Sequence, residues 1–322
     1  MTNVIPIWQL GAVELAKSIR EGKFTATEVT RVILQRVKDR NPHINAIVDD
    51  MSEEALARAG ELDQLKANGS IVGPLHGVPI TIKVNIDVKG RANTNGVAAL
   101  ADVIAPADAP LVAQMRQAGA IIIGLTNTPE FSFRATTDNE LYGRTINPWD
   151  EQRSPGGSSG GAAAAVAAGF GPLAHGNDIG GSLRFPSFCC GAVTVKPSQG
   201  RVASYNPSFP SERSIIAQLF ATQGFIAREV ADVRMAMEVI TQKHVEDAWQ
   251  PGLPFPGPAL DGPIKVAVIR KSNGYPIQQD ILDGIDRTAN ILDVAGYVIE
   301  EAETPCLEAL ATDALPILFS DT

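Results

Sequence analysis

Between Ser154 and Pro186 the chain reads SPGGSSGGAAAAVAAGFGPLAHGNDIGGSLRFP, 33 residues that hold nine glycines and four serines. Glycine loses more backbone freedom on folding than any other residue, so such density marks a place where the backbone takes unusual dihedrals or passes close to other atoms. Ala162 to Ala168 divide the glycines into two clusters. That run predicts a helix whose small side chains let the loops at its two ends approach each other.

The rest of the chain predicts what surrounds this feature. Thr25-Ala26-Thr27-Glu28 fits a capping box, and Val29, Val32, Ile33 and Val37 follow at helical spacing until Asn41-Pro42 is expected to stop the helix. A second helical pattern begins at Met51, with Gly69 as its stop. The character then changes. GVPITIKVN (77–85) and AIIIGLTN (120–127) are short apolar, β-branched runs, and the helix-like DAPLVAQMRQAG (108–119) leads into the second. IKVAVI (264–269), a helical pattern from Ile277 to Ala295 and YVIEEA repeat the alternation. This predicts an α/β fold with a buried sheet covered by helices. The five prolines of WQPGLPFPGPALDGP (249–263) mark a loop, a surface crossing or a linker between domains. Because strand and helix patterning resumes beyond it without a shift in composition, residues 1–322 are read as one domain, with helices over about 1–70 and an α/β core over about 71–322.

Composition narrows the setting. At 322 residues the chain can bury a sizeable core without disulfides, and its three cysteines, Cys189, Cys190 and Cys306, are odd in number with an adjacent pair ill suited to a bridge. A reduced, cytoplasmic location is expected. The N-terminus lacks a basic stretch followed by an apolar one, so export is not expected. The weakly polar run 160–174 is too short to span a bilayer, and no membrane partner is expected. A net charge of −9 argues against direct nucleic-acid binding, which needs a basic surface.

Three chemistries compete for the glycine stretch. A phosphate-cradling loop would place Lys and then Ser or Thr after its last glycine, and GGSSGGAAAA supplies neither. Gly156-Gly157-Ser158-Ser159-Gly160 matches the G-x-S-x-G nucleophile elbow, but the preceding NPWDEQRSP reads as loop, and only His244 follows in the required order. The third reading uses a serine from each cluster, Ser158 and Ser182, and takes its base from elsewhere. Lys83 is the only ionisable residue in GVPITIKVN, and burial at a strand end lowers the pKa of a lysine, making it a usable base. A bland alternative has Lys83 reaching to solvent and the serines as ordinary loop residues. His175, Asp178 and Cys189 fit no common metal-ligand spacing, and no metal is expected.

The segments GVPITIK, SPGGSSGG, DIGGSLRFP and KPSQGRV, in this order and with 75 residues from Lys83 to Ser158 and 24 more to Ser182, resemble the amidase signature family. The resemblance is dense from Gly73 to Val202 and weaker out to Glu14 and Ala302. It implies the amidase signature fold, with a mixed central β-sheet covered by helices, and hydrolysis of a small-molecule amide without cofactor or metal. It implies Ser182 as acyl nucleophile, Ser158 as bridging serine after a cis peptide bond, and Lys83 as base. Backbone N–H groups of Ile179, Gly180, Gly181 and Ser182 would form the oxyanion hole, with Ser159, Asp178 and Arg184 supporting the loops. Asp178 is expected as a loop-structuring acceptor, and Arg184 as a loop support in preference to a holder of substrate carboxylate. The amidase component of a tRNA-dependent glutamine amidotransferase belongs to the same family and is the alternative, as is a catalytically inactive binding protein. Two departures stand out: Val84 occupies the place where the family usually has Asp after its Lys, and the chain is shorter than family members. The C-terminal part is therefore expected to be missing. An apolar face around Leu307, Leu310, Ala311 and Ala314 is expected to leave the isolated chain oligomeric, as a homo-oligomer, or poorly soluble, and weakly active.

Overall fold

The structure, a computed structural model, describes residues 5–209, 214–272, 276–303 and 312. The chain divides into two compact units, Met1–Arg213 with Ala217–Phe255 and Ser214–Ile216 with Pro256–Thr322. The boundary after Phe255 falls inside the proline-rich stretch.

The first unit begins with α1 (Ala12–Arg20) and α2 (Ala26–Ile44). The predicted capping box is formed: Thr25 Oγ1 accepts from the Glu28 N–H at 3.0 Å, and the Glu28 carboxylate accepts from the Thr25 N–H at 2.8 Å. The helix runs past its expected stop, with Pro42 inside its last turn. A proline this near the end removes one ladder bond and leaves the terminus to other groups. Asn41 supplies them, since its side chain accepts from the N–H groups of Ala46 and Ile47 and donates to the Ile47 carbonyl, and Asn45 closes the helix in the left-handed region.

Along the chain there follow β1 (Ile47–Asp50), α3 (Ser52–Ala67), β2 (Pro79–Lys83), α4 (Pro110–Gln117), β3 (Ile121–Thr126), α5 (Gly160–Ala168), β4 (Leu173–Asp178), α6 (Arg184–Cys190), β5 (Val193–Thr194), α7 (Ile215–Phe220), β6 (Thr222–Ala227) and α8 (Val230–Ile240). Six of these are strands of one mixed sheet in the order β1-β3-β2-β4-β6-β5. The pairs β3/β2 and β2/β4 are parallel, and β1/β3, β4/β6 and β6/β5 are antiparallel. Interior strand β2 is buried at every residue, as its uninterrupted apolar run predicts. Ile80 and Ile82 pack in a core with Leu75, Leu111, Met115 and Phe225.

Helix α5 is buried at every residue except the half-buried Ala167. Ala162, Ala163 and Val166 pack with Ala174, Leu183 and Ile226, while Ala164, Ala165 and Ala168 pack with Ile33 and Phe170. Its methyl-sized surface lets it lie close to the sheet and leaves the glycine loop before it near the one after β4, where the Ser159 N–H donates to the Ser182 carbonyl at 3.3 Å. The far end is fixed by Arg228, whose guanidinium donates to the carbonyls of Val166, Gly171, Trp8 and Leu10.

The second unit contains β7 (Lys265–Val268), α9 (Gln279–Val294) and β8 (Val298–Glu301). The two strands pair in parallel, Lys265 with Val298 through Val268 with Glu301, and the helix lies between them in sequence, as patterned. Leu307, Leu310, Ala311 and Ala314 lie outside the described residues. Among the described residues no helix is long and apolar enough to cross a membrane.

Candidate active site

Lys83 is the last residue of β2, and its side chain is completely buried. The strand aims it, because Lys83 pairs with Thr126 of β3. Its Nζ lies 2.7 Å from Ser158 Oγ, 2.7 Å from Asn177 Oδ1 and 3.2 Å from Ser159 Oγ. Burial pushes the amine well below its ordinary value of 10.5, and the Asp178 carboxylate opposes that shift without cancelling it. The neutral amine is thereby favoured over a wider pH range than in water.

Ser158 follows a cis peptide bond from Gly157 and is buried. A Cβ on Gly157 would stand 2.5 Å from the Arg134 carbonyl oxygen and 2.7 Å from the Ala135 carbonyl carbon, so only glycine lets residues 134–136 close against this loop. The Ser158 carbonyl accepts from Thr128 Oγ1 at 3.1 Å.

Around Ser182 the backbone is wrapped on a single carboxylate. Asp178, at the end of β4, accepts on Oδ1 from the Gly181 N–H at 2.8 Å and Arg184 Nη2 at 2.9 Å. Its Oδ2 accepts from the Leu183 N–H at 3.0 Å, Arg184 Nε at 3.0 Å and the Arg184 N–H at 3.4 Å. Burial alone would raise this carboxyl, but the Arg184 guanidinium and the N–H groups of Leu183 and Gly181 outweigh it and hold the pKa below 3.8. Gly181 has φ +120°, which excludes a side chain and turns the chain toward Ser182.

The structure thus brings Lys83, Ser158 and Ser159 into direct contact, and it places Asp178 and Arg184 together beneath the Ser182 turn. Among the described residues, the N–H groups of Ile179, Gly180 and Ser182 meet no acceptor within the chain. The N–H of Gly181, the fourth expected oxyanion donor, donates to Asp178 Oδ1 and closes the turn. The Ser182 hydroxyl has no hydrogen-bond partner among the described residues, whereas Ser158 Oγ is in contact with Lys83 Nζ.

The elbow reading finds no support. Residues 127–159 contain no strand to precede the Gly156–Gly160 turn, and His244 is engaged with Gln250 and Glu246 in a separate turn. Buried His175 lies beside Lys83, whose N–H points to its Nδ1 at 3.5 Å, while Nε2 is 3.0 Å from Gln223 Oε1. Burial pushes its pKa down to about 3, Gln223 opposing and Lys83 reinforcing, so it stays neutral and adds no charge near the lysine.

Sequence reasoning missed Asn177, Asn85, Thr128 and Ser132. Asn177 Nδ2 donates to Asn85 Oδ1 at 3.1 Å, and Asn85 Nδ2 donates to Ser132 Oγ at 3.0 Å. Ser132 Oγ lies 2.9 Å from the Thr128 hydroxyl that holds the Ser158 carbonyl. Strand alternation did not mark Asn85, because β2 ends at Lys83 and Asn85 sits in the turn closed by the Ile86 N–H donating to the Lys83 carbonyl. Nor did it mark Asn177, because LAHGND carries no strand pattern.

This geometry has clear relatives. Residues 28–322 match the amidase family. The chain is 48% identical over 317 residues to an indoleacetamide hydrolase of Bradyrhizobium diazoefficiens, a match over 98% of this chain and 60% of that protein. It is 35% identical over 309 residues to one component of the glutamyl-tRNA(Gln) amidotransferase of Moorella thermoacetica, over 94% of this chain and 62% of that one. Among solved structures, a bacterial aryl acylamidase of the amidase signature family superimposes with a TM-score of 0.82 at 29% identity, over 93% of this chain and 62% of the other. The chain therefore spans about three fifths of the length of these relatives. With the match running over nine tenths of its residues and the serine loops and buried lysine in the arrangement described, this chain belongs to the amidase signature family.

Proposed function

We propose that the protein hydrolyses a carboxylic amide to the acid and ammonia or an amine through a serine acyl-enzyme. The observation that carries this reading is the 2.7 Å contact between a fully buried, charge-disfavoured Lys83 amine and the Ser158 hydroxyl. Neutral Lys83 takes the Ser158 proton as Ser158 takes the proton of Ser182. The Ser182 oxygen then attacks the amide carbonyl, and the free N–H groups of Ile179, Gly180 and Ser182 receive the developing oxyanion. The relay runs backward to protonate the leaving nitrogen, after which water, activated in the same way, releases the acid. Substrate binding has to bring the two serine hydroxyls within reach, a tightening familiar in active sites that are loose when empty.

The substrate we favour is a primary amide with an aromatic acyl side. The likeness to an indoleacetamide hydrolase supports it. So do Phe185, three residues after Ser182, and Phe131, beside Ser132, which are both exposed. Release of ammonia from indole-3-acetamide by the purified chain, lost in Ser182→Ala, tests the reading; absence of both turnover and fluorophosphonate labelling would sink it. The likeness to an amidotransferase component supports a second reading, in which glutamine is the amide and ammonia passes to a partner. Glutaminase activity that appears only with partner chains would favour that one. The proposal also includes a cytoplasmic setting, supported by the odd cysteine count, no direct contact with nucleic acid, supported by the charge of −9, and homo-oligomer formation, which light scattering tests.

A further inference from the structure

The hydrogen bonds around Lys83 Nζ can be assigned proton by proton. A neutral amine has two N–H donors and one lone pair, and three oxygens surround it. Asn177 Oδ1 carries no proton, and its amide is oriented by Nδ2 donating to Asn85 Oδ1, so it takes one N–H. Ser159 Oγ donates to the Asn177 carbonyl at 3.3 Å, which leaves it an acceptor toward Lys83 and gives it the second N–H. Among the described residues Ser158 Oγ has no other partner, so its proton alone faces the lone pair. If Asn177 offered no acceptor, one N–H would be orphaned and the amine could turn an N–H toward Ser158, the arrangement in which it cannot accept a proton.

We propose that Asn177 is a positioning residue that directs the Lys83 lone pair at Ser158 while contributing no charge that would favour the ammonium. This rests on the reading of Lys83 as base. Among the described residues, the charged and titratable groups facing Lys83 are few: Asp178 and His175, both on β4, with Asp178 clamped by Arg184 of α6. Val84, directly after Lys83, is buried and adds none. An acceptor at position 177 that is neutral therefore matters, because a carboxylate 2.7 Å from Nζ would satisfy the same N–H yet hold the proton on the lysine.

Two variants separate acceptor from charge. Asn177→Ala removes the acceptor and should lower kcat about tenfold or more with KM little changed, because a positioned base supplies roughly 100-fold to 10,000-fold. Asn177→Asp keeps the acceptor and adds charge. It should move the acid limb of the kcat/KM profile upward by about 1–3 pH units and recover more of the wild-type rate at high pH than Asn177→Ala does. Equal loss in both variants with the limb unmoved, or no loss in either, would overturn the proposal. A titration of lysine 13Cε resonances in the full chain carrying Ser182→Ala, with Lys83 assigned by its absence in Lys83→Met, needs no turnover. If the wild type neither hydrolyses nor labels, the function reading fails. The titration still decides this inference, which stands if Asn177→Asp raises the Lys83 midpoint and falls if the midpoint stays put.

Discussion

Asp178→Asn preserves the size of a side chain that folds five donors around itself, and it removes the charge and one acceptor atom. Turned either way, the new amide sets an NH2 group against donors that had an oxygen. The milder orientation places it at the Oδ1 site, facing the Gly181 N–H and Arg184 Nη2. The Arg184 side chain is 55% exposed, so water replaces most of what the guanidinium loses. The cost then falls on the Gly181 N–H and amounts to about 1.5–3 kcal/mol, the usual worth of a hydrogen bond to a charged group. Activity should suffer more than stability. A relaxed turn misaligns the N–H groups of Gly180 and Ser182, and losing one oxyanion donor costs roughly 100-fold to 1,000-fold in rate. Urea denaturation and ammonia release from the same preparation measure the two effects together. Acidification gives a third readout. The folded carboxyl lies below its ordinary 3.8, so its stabilisation is complete above that value and is lost as pH falls through the folded pKa. Asp178→Asn should lack that acid-dependent loss. A variant destabilised as stated but with turnover within threefold of wild type would refute the idea that this carboxylate shapes the oxyanion site.

Three further outcomes are expected. Ser182→Ala should abolish turnover and fluorophosphonate labelling, whereas Ser158→Ala should leave slow labelling, because it removes a proton relay and leaves the attacking atom; mass spectrometry of the adduct decides between them. Lys83→Met should abolish turnover and flatten the dependence of stability on pH. In the wild type the unfolded chain holds a proton on Lys83 that the folded chain has shed between the depressed folded pKa and 10.5, so stability should rise across that window by up to about 1.4 kcal/mol per pH unit, as seen in denaturation at several pH values. Thr25→Ala should cost about 1 kcal/mol with unchanged activity, since it removes only the cap of α2, and thermal unfolding would register it.

The parts of the fold that sequence revealed are those in which local chemistry and final structure agree. β2 and β3 are apolar runs because both faces are covered, and α2 begins where Thr25 and Glu28 say it should. β4 and β6 escaped notice because LAHGND and TQGFIA have neither apolar continuity nor alternation, and they are strands because each lies between two partners in the sheet. Tertiary pairing overrides weak β-propensity there. The same strand hid Asn177, whose position beside Lys83 depends on a β2/β4 pairing between segments far apart in sequence. Lys83, Ser158 and Ser182 stood out as candidates because a lone lysine in an apolar run and serines in glycine clusters are each locally anomalous, and the structure brings the first two into contact. The commitment of Gly181 to Asp178 did not stand out, since which N–H a carboxylate captures depends on how the turn closes.

The near-complete burial of α5 gives the neighbourhood of the two serines an unusual mutational asymmetry. Ala162, Ala163, Ala164 and Ala165 fill their sites with a single methyl group each, with essentially no exposed surface. Such positions can gain volume easily and lose almost none, so random drift changes them in one sense only, toward larger side chains that displace the helix from one neighbour or the other. Added methylenes in a packed interior cost about 1–3 kcal/mol, an amount many domains survive. The spacing between the loops that carry Ser158 and Ser182 has no comparable slack. Lineages of this chain would therefore be filtered at these alanines by chemistry before they are filtered by folding, and a variant enlarged there can persist as a well-folded protein without the proposed amide hydrolysis.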